Sequence, residues 1–98
     1  MKPSILITLD KPRNIRLNTN ALVKVEEVLG RPISDFGASF GIKEIRAMLW
    51  AGLLHEDKSL SLDTAGDLID EAGFEYVAEK VGEAINIAMG KTEEPDPN

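Results

Sequence analysis

Between Ala47 and Leu54 the chain reads AMLWAGLL, a run without one hydrophilic side chain. No other feature constrains the fold so strongly. The run is much shorter than the ~20 residues needed to cross a bilayer, so protein must bury it. Ile42, Ile45, Leu49 and Leu53 share one helical face, while Met48, Trp50, Ala51 and Leu54 wrap around it. A helix that is apolar all round is normally enclosed by other elements. The stretch IKEIRAMLWAGLLHE, residues 42–56, therefore reads as the central core helix. Leu49, Trp50 and Leu53 are expected to be shielded by neighbouring helices of the same chain. Trp50 then acts as a packing anchor rather than a reactive group. Gly52 lets another helix approach closely, at a propensity cost of about 1 kcal/mol. His55, near the end, suits the negative pole of the helix dipole.

The flanking sequence supplies what encloses this helix. SILITLDKPRNIRLN alternates apolar residues (Ile5, Ile7 and Leu9, then Ile15 and Leu17) around Asp10–Asn14, whose Asp, Pro and Asn favour a turn. It predicts a β-hairpin, which must rest on helices or pair with another chain because two strands alone are marginally stable. An exposed hairpin edge offers unpaired N–H and C=O groups to a neighbour. NTNALVKVEEVLGRP predicts a helix capped by Asn18 or Asn20 and stopped by Gly30, with Leu22, Val25 and Leu29 on one face. ISDFGASFG predicts a short helical turn that inserts Phe36 and Phe40 into the core, although its glycines also fit a loop. SLDTAGDLIDEAG predicts a helix capped by Ser61 and ended by Gly73. FEYVAEKVGEAINIAMG predicts a final helix, with Phe74, Val77, Ala78, Val81, Ile85 and Ala88 at helical spacing. The expected fold class is α+β, mostly α: an N-terminal hairpin packed on a bundle of about four helices. The 98 residues suit one domain over residues 1–90, with a disordered acidic tail over 91–98.

Charge and composition narrow the function. The net charge of −6 is unevenly spread. Residues 1–16 carry Lys2, Lys11, Arg13 and Arg16 against Asp10 alone, a net of +3, leaving −9 on residues 17–98. The acidic balance disfavours nonspecific nucleic-acid binding and anionic membranes. A basic edge beside an acidic body favours head-to-tail self-association. Glu75, Glu79 and Glu83 recur every four residues on one face of the last helix. That face is either simply solvated or an acidic stripe that meets a basic partner.

The chain has no cysteine, which excludes disulfides, thiolate metal sites and thiol nucleophiles, and leaves the cytosol as the natural compartment. His55-Glu56-Asp57 is the one constellation with acid–base or metal-ligand character. Adjacent helical residues point about 100° apart, so the three do not converge on an ion. No nucleophile elbow, phosphate loop or calcium loop is present. The expectation is a non-enzymatic binding or assembly protein without cofactor or metal. Its contact surfaces are Lys11, Arg13 and Arg16 on one side and Glu75, Glu79 and Glu83 on the other.

The order of segments resembles a known family. A hairpin with a basic turn leads into IRLNTNALVKVEEVLGRPI and then IKEIRAMLWAGLLHEDKSLSLDTAGDLIDEAG. This is similar to the tail assembly chaperones of long-tailed bacteriophages, prophages and gene transfer agents, over roughly residues 5–73. The strongest parts are Leu17, Ala21, Leu22, Glu26, Glu27, Leu29 and Gly30, then IRAMLWAGLLHED followed by LSLDTAGDLID. The resemblance implies a homo-oligomeric protein of the host bacterial cytoplasm, with no catalytic residues. Its implied partners are the tape-measure protein and the tail tube protein, with neither nucleic acid nor membrane involved. The alternative is a small acidic regulatory or inhibitory protein, such as an antirepressor or DNA mimic.

Overall fold

A computed structural model describes residues 4–35 and 40–90. The chain runs through β1 (Ile5–Thr8), β2 (Pro12–Ile15), α1 (Thr19–Leu29), a 3-10 turn (Ile33–Asp35), α2 (Ile42–Leu53), α3 (Leu62–Ala72) and α4 (Phe74–Ala88). The fold is α+β and mostly α, a hairpin on four helices, as the patterning predicts. Of the two aromatics expected in the core from ISDFGASFG, Phe40 is half-buried against it, and Phe36 lies outside the described residues. The segment 91–98, expected to be a disordered tail, also lies outside them.

Helix α2 is central because every other regular element except β1 and the 3-10 turn packs against it: α1, α3, α4 and β2. That enclosure explains the run at 47–54. Ile45, Ala47, Met48, Leu49, Ala51, Gly52 and Leu53 are all buried. Leu49 and Leu53 are fully shielded, as expected. Trp50 is only partly buried, short of the shielding expected of it, and its indole Nε1–H donates to the Leu60 carbonyl at 2.8 Å. The anchor thus ties the loop between α2 and α3 back onto the core helix.

The neighbour admitted by Gly52 is a strand, not the helix expected. A Cβ at that position would lie 2.5 Å from Ile15 Cγ2, and the Arg16 N–H donates to the Gly52 carbonyl at 2.9 Å. Strand β2 therefore lies directly on the α2 backbone.

The hairpin pairs Ile5 with Ile15, Leu6 with Asn14, Ile7 with Arg13 and Thr8 with Pro12. Its turn is Leu9–Lys11, shorter than the Asp10–Asn14 expected. Asn14 directs both backbone groups away from β1, its N–H to Glu56 Oε1 at 3.1 Å and its C=O to His55 Nε2 at 2.7 Å. By the alternation of an antiparallel ladder, Pro12 also faces outward, so its missing N–H takes nothing from the pairing. Pro12 can therefore open the strand rather than sit in the turn.

The caps follow the sequence. Asn18 caps α1 by accepting from the Ala21 N–H, and Ser61 caps α3 by accepting from the Thr64 N–H. Gly30 ends α1. Between α3 and α4 there is only Gly73, whose φ of 100° is a conformation L side chains rarely adopt. That single residue folds the two helices together.

Candidate functional site

The residues after α2 form a clasp on β2. Glu56 takes the Asn14 N–H through Oε1 and the Asn14 Nδ2 through Oε2, at 3.1 and 3.0 Å. The Asn14 carbonyl can only accept, so His55 Nε2 donates to it. Asp57 accepts from the Ser59 hydroxyl and stands 3.7 Å from Arg13 Nη1. His55, Glu56 and Asp57 thus turn to different partners. His55 follows Leu54, the C-cap of α2, and its Nε2 reaches the strand edge from that helix end. Among the described residues no group of three or more His, Cys, Asp or Glu could hold a metal ion. Hydrogen bonding to Asn14 is the largest influence on Glu56 and holds its carboxyl below the ordinary carboxylate range.

Arg13 does not belong to an outward contact surface, which corrects the sequence-based expectation. It faces inward beside Ile7 and is only 6% exposed. Its Nε and Nη2 donate to the two Asp10 oxygens at 2.8 and 2.9 Å. The hydrogen-bonded guanidinium lowers the Asp10 pKa, and the carboxylate raises that of Arg13. The hairpin turn therefore consumes its own charge. Of the other basic residues named, Lys11 is exposed in the turn and Arg16 is half-buried just after β2.

Arg16 is the informative side chain. Its Nε is buried without a hydrogen-bond partner among the described residues. It stands where two grooves meet. One groove, of about 340 Å³, is mainly apolar, with Ile5, Ile15, Leu17 and Leu22 facing Ala84, Ile87 and Ala88 of α4. The other, of about 480 Å³, has Ala21, Ala51 and Leu54 among its lining, with Arg16, Lys24, His55 and Lys58 around them. Asn18 and Asn20 complete this second groove, and no carboxylate lines it.

Those cations are not used inside the molecule. The ion pairs engage Arg13, Arg31, Arg46 and Lys80 with acidic partners, whereas Arg16, Lys24 and Lys58 enter none among the described residues. The nearby carboxylates are turned elsewhere, Glu56 to Asn14 and Asp57 toward Arg13 and Ser59. A positive groove therefore opens on an acidic protein. Sequence reading found Arg16 but missed Lys24 and Lys58, because only the fold brings α1, the end of β2 and the loop after α2 together.

Glu75, Glu79 and Glu83 are all exposed along α4. Glu83 reaches Lys80 at 4.0 Å, while Glu75 and Glu79 enter no ion pair among the described residues. Helical geometry places the three carboxylates along one side, about 6 Å apart per turn.

Fold and surface define a small α+β protein with open, oppositely charged faces. No helix among the described residues is long and apolar enough to cross a membrane. No protein-family model, curated protein or solved structure matches the chain.

Proposed function

We propose that this chain is a tail assembly chaperone of the kind encoded by long-tailed phages, prophages and gene transfer agents. It binds the tape-measure protein, helps recruit tail tube subunits around it, and acts in the host bacterial cytoplasm by binding rather than by chemistry. The supporting observation is where the segments that carry the resemblance lie. LNTNALVKVEEVLG builds the link after β2 and α1, IRAMLWAGLLHED builds most of α2 and the clasp, and LSLDTAGDLID builds most of α3. These segments form one packed unit, with the basic groove opening between α1, the β2 exit and the α2 exit. Many weak copies acting together suit the coating of an extended partner.

The test is co-expression of the tagged chain with the product of the long open reading frame expected just downstream of its gene. Retention of a long helical protein, kept from aggregating by the chaperone, is the expected result. Capture of a nucleic-acid-binding protein instead would move the assignment to a regulatory inhibitor, for which the α4 glutamates would be the mimic surface.

A further inference from the structure

We infer that the chain's own segment 91–98, KTEEPDPN, docks across the basic groove and supplies the carboxylates that the groove lacks. Among the described residues no carboxylate lines that groove. Arg16 Nε is buried there without a hydrogen-bond partner among them. A guanidinium N–H left unpaired out of water is costly, and a carboxylate is its strongest acceptor. Lys24 and Lys58 stand on the same groove and enter no ion pair among the described residues. Segment 91–98 lies outside the described residues and carries Glu93, Glu94 and Asp96 against Lys91, a net of −2. Groove and segment are therefore complementary in charge.

The place where the described chain ends favours this occupant. Helix α4 finishes at Ala88, and Ala84, Ile87 and Ala88 form one wall of the apolar groove. Its other wall holds Arg16 and Asn18, which also line the basic groove. The apolar groove is thus a channel leading from the end of α4 to the cations. Gly90, with a φ of 73°, turns the chain off the helix axis just before the segment begins. From Gly90 an extended chain reaches up to about 10 Å at Glu93 and about 20 Å at Asp96. That reach exceeds the width of a groove of about 340 Å³. Pro95 and Pro97 bias Glu94 and Asp96 toward extended backbone, the form that follows a groove. Tethering sets the effective concentration of these carboxylates on the order of millimolar, so ion pairs that are individually weak at a surface act together. An acidic segment of any partner must displace 91–98 to enter the groove, which makes the segment a built-in competitor. The inference concerns the chain alone and stands apart from the chaperone reading.

The experiment is paramagnetic NMR on the whole chain. The sequence has no cysteine, so Asn98→Cys creates a single attachment point for a nitroxide label. At low salt the label is expected to broaden the amide signals of Asn20, Lys24 and Lys58. The signals should recover in about 1 M salt, where the Debye length is about 3 Å. Glu93→Gln, Glu94→Gln and Asp96→Asn together should abolish the broadening. Lys24→Gln with Lys58→Gln should remove it at Asn20, with circular dichroism unchanged. Should that pair disturb the fold, the three changes in the segment carry the same prediction. Broadening confined to residues beside Gly90 would overturn the inference, as would broadening that survives the three neutral substitutions. A mixture of spin-labelled chain with isotope-labelled, spin-free chain is expected to show none. Strong broadening in that mixture would also overturn it, because a second copy would then be filling the groove.

Discussion

Gly52 carries the junction between strand and core helix. With Ile15 Cγ2 2.5 Å from the position of a new Cβ, and Leu17 Cδ2 and the Arg16 nitrogen at 3.4 and 3.5 Å, an alanine has nowhere to go. Ile15 is fully buried and β-branched, so it cannot swing aside. Gly52→Ala gains up to about 1 kcal/mol of helix propensity but incurs an overpacking cost of about 1–3 kcal/mol. The expected outcome is a net loss of stability, read as a lower urea midpoint at unchanged slope. Sequence alone marks Gly52 as a close-approach site, because a glycine inside an apolar helix has few other reasons to be there. It does not say that a strand approaches, since nothing local distinguishes the two partners. Arg13 was illegible for a similar reason. An arginine next to Pro12 in a turn-like stretch reads as exposed, and only the register that sets it beside Ile7 turns it inward.

At the scale of elements, the hairpin is held by the clasp after α2 as well as by apolar contact. Glu56 binds Asn14 twice and has a lowered pKa, as does Asp10 through Arg13. A carboxyl whose folded pKa lies below its unfolded value of about 4 stabilises the fold fully above that value. The contribution fades as pH falls through the lower folded value. Thermal melts should therefore show stability flat at neutral pH and dropping below about pH 4. Glu56→Gln should melt below the parent at pH 7, and the difference should shrink in acid as the parent's carboxyl is protonated. A constant gap across that range would deny Glu56 its part in the clasp. The helices themselves were legible from caps and stops: Asn18, Gly30, Ser61 and Gly73 act where the sequence puts them. The clasp was not, because it joins residues 41 and 42 positions apart through side chains that look merely polar.

At the scale of the whole molecule, charge separation was legible in outline and misplaced in detail. A basic first segment and an acidic remainder are visible in the sequence. The positive surface that results is nevertheless built mostly from Lys24 and Lys58, which lie within the acidic remainder, plus Arg16. Folding redistributes charge because internal pairs such as Arg13–Asp10 and Arg31–Glu44 cancel some cations and leave others bare.

The enclosure of α2 has one more consequence. Because α1, α3, α4 and β2 all lean on the same helix, losing any of them strips apolar surface that the rest share. Native-state hydrogen exchange should find the slow amides of α1, α2 and α4 opening together, at one free energy that equals global unfolding. A pair of complementary fragments cut between α2 and α3 should each be unstructured and regain order only on mixing. The protein would then exist either whole or not at all, leaving no half-folded species for proteases to find.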